Sequence, residues 1–380
     1  MISKNKLEEG LEIYLVGGAV RDKLLGIQPK EKDWVVINSN PREMTERGFI
    51  QVAKSFPVFI HPITKEEYAL ARVEKSIGRT HKDFSFSSEN HISLIDDLKR
   101  RDLTMNSMAM NKNGDLLYDP HKGLEDIKNK IIRHTSSSFE EDPLRILRVA
   151  RFAALFPDFT VAHETMALMN HMVKRGDILY LSKERIILEI QKVFHAQKIS
   201  IFFLLLNQLN VFDYLLQPYK RLSLIPEKVD QLRTYIDEYD LFIPLLSYIA
   251  EDYKQVVIKE MPFNKEIVKI SYLINSYYPV LHDLHLENSQ SLYDFMNKIG
   301  GIKGTKYFKQ FLKGAEGLEK TLSYSNHNNI TDKLYKCHSF LSLIPYQSII
   351  PESYKNTKEY GKLLKELYIA KIKEYFQDNL

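Results

Sequence analysis

A single cysteine, Cys337, excludes an internal disulfide and any multi-cysteine metal site. It reads as a small buried hydrophobe, which fits a reducing, cytoplasmic setting. Long apolar runs are missing too. The greasiest stretch, Ile201 to Leu216, is interrupted by Asn207, Gln208, Asn210 and Asp213. It is too short and too polar to span a bilayer and reads as a buried helix. The opening residues, MISKNKLEEGLEIYLV, carry charge but no apolar signal core, so no secretory leader is expected. Glycine (15) and proline (14) are sparse and without period, which argues against collagen-like, disordered and repeat-array chains. Charge of one sign barely dominates. The formal net charge of +4 does not by itself imply a nucleic-acid partner.

What is present is the composition of a soluble globular protein, 44% apolar and 27% charged in 380 residues, enough for two or three packed units. Up to about Arg133, short β-branched and aromatic runs alternate with short helical ones, an α+β pattern. Ile13 to Val16 and Trp34 to Ile37 are strand candidates, and Val58 to His61 and Tyr68 to Val73 flank a Pro-Ile-Thr-Lys turn as a hairpin. Asn113-Gly114 signals another tight turn. The segment Lys75 to Ser88 has little periodicity and reads as a mobile loop. From Phe139 onward strand signals nearly vanish. Pro143 opens a helix capped by Asp142, and further helices are predicted over Lys183 to Phe194, Ile201 to Leu216 and Lys358 to Tyr375.

Three stretches carry candidate chemistry. In YLVGGAVRD, a strand running into Gly17-Gly18 and straight into a helix can bring backbone N–H groups close to a phosphate chain. Arg21 can add a bidentate contact there. Glu31 and Asp33, two apart at the start of a strand, project from one face and could converge on divalent cations. In LIDDLKRRDLTMN, Asp102 and Asn106 share a helical face and could offer an acceptor and a donor to a ribose, with Arg101 toward a triphosphate. In FEEDPLRILRVARF, Glu141, Arg145 and Arg148 fall on one helical face while Leu144 and Leu147 face a core. A fixed carboxylate and guanidinium of this kind could select C and A by hydrogen bonding alone. Taken singly, the first two stretches read more readily as a turn with solvated acids and a charged helix end, and the third could be merely a capped helix with surface arginines.

Taken together and in order, GGAVRD, RRDLTMN, YDPHKGLEDI, EEDPLRILRVARF and LSKERIILE resemble the bacterial class II tRNA nucleotidyltransferases, the family that also contains bacterial poly(A) polymerases. The likeness runs nearly unbroken from Tyr14 to about Glu189. It implies a polymerase-β-like mixed-sheet nucleotidyltransferase head (1–135) followed by an all-helical neck (136–200) and a helical body and tail (201–380) that grip tRNA. Gly18, Arg21, Arg101, Asp102 and Asn106 then fall on contacts to the incoming CTP or ATP, and Asp142, Arg145 and Arg148 on nucleobase selection. Glu31 and Asp33 fall on the catalytic carboxylates that hold two Mg²⁺ ions, with Glu67 in a supporting place. The resemblance implies addition of C, C and A to a tRNA 3′ end with release of pyrophosphate, without a template. It implies no membrane, and nothing in the chain indicates a protein partner.

Two features depart from that family. Its first metal position is normally Asp, and Glu31 adds a methylene there, a change compatible with slower catalysis or tolerance of Mn²⁺. The His282-Asp283 doublet with His285 lacks the further His and Asp ligands of the phosphohydrolase domain found in longer relatives, so no added phosphatase is expected. The competing readings are a poly(A) polymerase, an enzyme adding only CC or only A, and a catalytically silent RNA-binding protein.

Overall fold

A computed structural model of the chain describes residues 7–53, 56–71, 73–76, 84–87, 92–302, 304–323, 329–354 and 357–379. The chain packs as two compact units, Met1–Leu215 and Leu216–Leu380.

The first unit opens with β1 (Glu12–Val16), α1 (Gly18–Leu24), β2 (Asp33–Ile37), α2 (Pro41–Glu46), β3 (Ile50–Ala53), β4 (Phe56–Ile60), β5 (Glu67–Leu70), β6 (Val73–Ser76), β7 (Phe84–Ser87), α3 (Leu94–Lys99), β8 (Ala109–Asn111) and β9 (Leu117–Tyr118). Seven strands form one mixed sheet in the order β3-β4-β5-β2-β1-β8-β9. The period-2 alternation of these strands divides their side chains between two apolar layers. On one face, Val16, Val35 and Ala109 pack with Leu94 and Leu98 of α3, flanked by Tyr14, Ile37 and Tyr118. On the other, Trp34 stacks on Tyr68 at 5.9 Å, and its indole N–H donates to Glu66 at 3.0 Å. Ser93 and Asp96 close a reciprocal capping box that fixes where α3 starts.

Register does the decisive positioning. β1 runs antiparallel to β2 with Val16 opposite Asp33, and β2 runs parallel to β5 with Asp33 opposite Glu67. The glycine turn after Val16 therefore lies at the end of the sheet that carries Asp33 and Glu67.

The predicted strands and both turns are observed, with differences at the margins. The expected hairpin strand ends at Leu70 rather than Val73. The expected loop from Lys75 to Ser88 is in part a strand pair: β6 and β7 run antiparallel, Val73 opposite Ser87 and Ser76 opposite Phe84. Four alternating residues, as in Phe-Ser-Phe-Ser, are too short a pattern to stand out in a sequence. Residues 77–83 and 88 lie outside the described residues.

The unit continues through α4 (Gly123–Lys128), β10 (Ile131–Ile132), α5 (Leu144–Leu155), β11 (Thr160–Val161), α6 (His163–Lys174), α7 (Lys183–Val193) and α8 (Ile199–Gln208). α5 packs against α7 and α8, burying Ile146, Leu147, Val149, Ala150 and Ala154 completely. The predicted helix Ile201 to Leu216 is broken. α8 stops at Gln208, Asn210 takes the left-handed conformation (φ 57°), and a short 3₁₀ turn, Val211–Asp213, follows. Asparagine tolerates that conformation better than most residues, so the polar residues that exclude a membrane span also end the helix.

In the second unit the described residues form α9 (Pro226–Tyr235), α10 (Tyr239–Ile249), α11 (Val256–Glu260), α12 (Lys265–Tyr277), α13 (Ser289–Lys298), α14 (Lys306–Leu322), α15 (Ile330–Ser342), α16 (Tyr346–Ile349) and α17 (Lys358–Asn379). α10 is apolar nearly all round and lies against α12 and α14. Gly314 and Gly317 allow the close approach of α14. A Cβ on Gly317 would stand 2.8 Å from Ile236, and one on Gly314 would stand 3.2 Å from Leu241, Leu245 and Ile274. Among the described residues no helix is long and apolar enough to cross a membrane.

Candidate functional site

Gly17 leaves β1 with φ 70° and ψ −136°, a backbone conformation that side-chain-bearing residues rarely adopt. Space reinforces the requirement, because a Cβ there would lie 3.1 Å from Nη1 of Arg101. One turn into α1, Arg21 is buried. Its Nε and Nη2 donate to Asp22 at 2.9 and 2.6 Å, and its Nη1 donates to Oδ1 of Asn106 at 2.8 Å. Its guanidinium lies 5.1 and 5.3 Å from the ring centres of Phe152 and Phe156.

Asp102 and Asn106 meet, although not on the α-helical face expected of them. α3 ends at Lys99, and Asn106 closes a 3₁₀ turn, Thr104–Asn106. The chain turns away because Leu103 and Met105 bury themselves while Thr104 N–H donates to Arg133 O. Nδ2 of Asn106 donates to Oδ1 of Asp102 at 3.1 Å, and Arg148 donates to Oδ2 through Nε at 2.8 Å and Nη2 at 2.6 Å. Burial alone would raise the Asp102 carboxyl, but Arg148 and the Asn106 hydrogen bond hold it far below the usual carboxylate range. The same partnership, led by Asp102, raises Arg148 against its burial.

The expected stripe of Glu141, Arg145 and Arg148 is not one helix face. Glu141 ends a separate 3₁₀ turn, Ser137–Glu141, and only the arginines belong to α5. Asp142 accepts from the N–H of Leu144 at 3.1 Å, as a capping residue would. Its two oxygens also take a fork from Arg185, at 3.1 and 2.7 Å. Arg145 donates to the backbone carbonyls of Ser138 and Arg100, 2.6 Å each. Burial lowers Arg145, with Asp102 and Asp142 opposing.

These residues line one cleft of about 480 Å³. Gly18, Arg21, Asp33, Arg101, Asp102, Asn106, Asp142, Arg145 and Arg148 all border it, joined by Gly17, Arg100, Leu144, Phe152 and Arg185. Six arginines thus face three aspartates, a cationic surplus suited to a polyanion. Glu31 is exposed just ahead of β2 and does not border the cleft. It is near enough to matter electrostatically. The protein packed around Asp33 raises its carboxyl; Arg101 opposes this and Glu31 adds to it. Glu67 is raised in turn by desolvation, Asp33 and Glu31. Three carboxylates therefore repel one another at the sheet end, although among the described residues no group of three His, Cys, Asp or Glu closes into a metal site.

Sequence reasoning missed Asp97, Arg151, Phe152, Arg185 and Glu189. Arg151 donates to buried Glu189 at 2.7 Å and lies 4.3 Å from the Phe152 ring centre. The signal was available in LSKERIILE, where Arg185 and Glu189 stand i, i+4 on α7; Arg185 meets Asp142 and Glu189 meets Arg151 of α5.

Comparison with known proteins gives a consistent result. A model of the poly A polymerase head domain matches residues 13–133, and one described as a probable RNA and SrmB-binding site of polymerase A matches residues 158–221. A CCA-adding enzyme of Coxiella burnetii is 38% identical over 317 residues, 82% of this chain and 83% of that one. A CCA-adding enzyme of Marinobacter nauticus is 49% identical over 223 residues, 58% of this chain and 57% of its own. The fold resembles that of the Bacillus stearothermophilus CCA-adding enzyme solved in complex with CTP, with a TM-score of 0.72 and 21% identity over 97% of this chain and 90% of that one. It also resembles a Thermotoga maritima CCA-adding enzyme complexed with tRNA, with a TM-score of 0.65 and 20% identity over 98% of this chain and 93% of that one. The identity to the Coxiella protein, sustained across four-fifths of both chains, shows that this chain belongs to the CCA-adding enzyme family.

Proposed function

We infer that the chain is a nucleotidyltransferase that adds C, C and A to the 3′ end of tRNA from CTP and ATP, releasing pyrophosphate. The observation that carries this reading is the cationic cleft beside the Gly17 turn and Asp33, in a chain 38% identical to the Coxiella enzyme over 82% of its length.

In this reading Gly17 and Gly18 admit the triphosphate to the backbone, and Arg101 and Arg21 neutralise its oxygens. Asp102 and Asn106 meet the ribose. Asp142 and Arg145 read the base. Asp142 must then share its carboxylate between Arg185 and an exocyclic amine, and a U or G edge would leave that acceptor facing another acceptor. Glu31 and Asp33, with Glu67 beside them, are hard oxygen donors whose mutual repulsion a cation would relieve, so they suit a divalent ion. Two Mg²⁺ ions bound there, with Mn²⁺ tolerated, supply charge neutralisation and activation of the attacking 3′-hydroxyl. The helical residues from 201 to 380 serve as the tRNA grip, and the setting is the cytoplasm.

The test is incorporation of CTP and ATP into tRNAs ending before CCA, after C and after CC, in Mg²⁺ and in Mn²⁺, with sequencing of the 3′ ends. A completed CCA on all three is expected, and Glu31→Asp is expected to raise the Mg²⁺ rate. Tails of A alone would indicate a poly(A) polymerase. Binding of tRNA without binding of either nucleotide would indicate a silent RNA-binding protein.

A further inference from the structure

Asp97 is absent from every role above, yet no side chain near the cleft is more deeply placed. It is fully buried on α3, three and four residues ahead of Arg100 and Arg101. Its two oxygens are divided between those arginines. Oδ1 accepts from Nε and Nη2 of Arg100 at 3.0 and 2.6 Å, and Oδ2 accepts from Nε and Nη2 of Arg101 at 3.3 and 2.9 Å. Burial would raise this carboxyl, but Arg101 and Arg100 hold it below its ordinary value.

We propose that Asp97 is a positioning residue that holds Arg100 and Arg101 on the triphosphate side of the cleft, setting the strength of nucleotide binding without taking part in base choice. This rests on the function proposed above. Arginine side chains lose much rotamer freedom when ordered, and two adjacent guanidiniums repel. A single carboxylate clasping both by their Nε–Nη2 edges fixes their orientation before a ligand arrives and leaves a net positive charge at the cleft wall. The consequence for Arg101 is specific. With Nε and Nη2 engaged by Asp97, its Nη1 is the end lying against Gly17. Arg101 therefore borders the cleft beside the glycine turn, in company with Asp33, at an angle that Asp97 sets. Asp142 and Arg185 are bonded to each other and not to Asp97, and Arg145 meets Arg100 only at its backbone carbonyl.

The test is Asp97→Asn in the full chain, with CTP, ATP and inorganic pyrophosphate as probes. Removing a charged partner from two hydrogen-bonded arginines should raise KM for CTP and for ATP together by about tenfold, and weaken pyrophosphate binding by a like factor. The CTP-to-ATP preference and the KM for tRNA should stay unchanged. Asp97→Glu should restore part of the affinity. Unequal changes for CTP and ATP, or unchanged nucleotide and pyrophosphate binding in a folded Asp97→Asn chain, would overturn the proposal. If Asp97→Asn does not fold, Arg101→Lys tests the same point, because a point charge cannot keep the two-pronged clasp, and a KM for CTP like the parent's would overturn it as well. Failure of the parent chain itself to bind CTP or ATP would instead count against the proposed function, a separable result.

Discussion

The two units of the chain differ most in what they bury. Among the described residues, the first unit buries Glu8, Arg21, Asp97, Asp102, Asp126 and Glu189, whereas among Asp, Glu, Lys and Arg the second buries one side chain, Asp252. Asp252 has a local task, accepting the N–H groups of Val256 and Val257 at 2.7 and 2.9 Å where α11 begins. The second unit is otherwise apolar helix against apolar helix, drawn close by small residues. Buried ion pairs seldom add stability over apolar packing of equal volume. Arg21, Asp97, Asp102 and Glu189 gather at or beside one cleft, which is therefore better explained by what the cleft must hold than by what keeps the unit folded. Asp97, Asp102 and Glu189 belong to a single arginine-bearing layer, and that layer borders the Gly17-Gly18 turn.

The sharpest way to break this comparison is to remove a charge proposed for the chemistry and not for folding. Asp33→Asn should reduce nucleotide addition by on the order of 10³-fold or more, since it removes a proposed metal ligand. Stability should hold or rise slightly, because Asp33, Glu31 and Glu67 repel one another in the free protein. Single-turnover CTP incorporation and a thermal melt on the same sample check both halves. A variant that loses activity and stability together would show that Asp33 helps hold the fold.

Asp102→Asn should behave in the opposite way. Leaving Arg148 without its partner should cost about 3 kcal/mol, read from denaturant unfolding, together with a loss of nucleotide affinity. The pH dependence has a definite sign. Asp97, Asp102 and Glu189 are all held below their ordinary values, so their contribution is complete above the unfolded carboxylate pKa near ~4 and is lost as pH falls below it toward the folded values. Asp33 and Glu67 are raised and act the other way, costing stability when ionised and relieving that cost as pH falls through their raised values. In the second unit the lowered carboxylates Asp237, Glu266 and Asp294 are surface groups held down by hydrogen bonds from Lys313, Lys306 and Gln290, and they should contribute little. The first unit should therefore open first in acid. Trp34, the one tryptophan, lies in its sheet and reports that unit by fluorescence, while far-ultraviolet circular dichroism follows all helices. Coincident acid transitions by the two probes would erase the distinction between the units.

Much of this was legible in the sequence because the informative signals were local. Alternation located β1 and β2, the glycine pair located the turn, and Pro143 with Asp142 located the start of α5 to within a residue. What stayed hidden was who pairs with whom. Asp97 read as one more acid in a charged helix end, and nothing in its neighbours showed that it is fully buried between two arginines. Arg185 lies 43 residues from Asp142, and their fork exists only because α7 packs on α5. The expected faces of Asp102 with Asn106, and of Glu141 with the neck arginines, assumed continuous helices. Burial of Leu103 and Met105 in one case, and a 3₁₀ turn in the other, replaced those helices. The pairings of the cleft are long-range, and a single sequence records long-range contacts least.

The smallest expected effects come from one added methyl in each unit, and they separate two uses of glycine. Gly17→Ala puts a Cβ where φ is 70° and Arg101 Nη1 is 3.1 Å away. The backbone penalty is roughly 1–2 kcal/mol, and the flexible arginine must yield. Displacing that arginine should raise KM for both nucleotides. Gly317→Ala puts a Cβ 2.8 Å from Ile236, inside packed apolar helices, and should cost about 1–3 kcal/mol by overpacking. No cleft residue lies near it in sequence or shares its unit, so KM for CTP should match the parent chain. The two substitutions thus cost similar stability and differ in nucleotide affinity. An equal KM in both would mean that the Gly17 turn matters only for the path of the chain, and that Arg101 reaches its ligand without the space this glycine leaves.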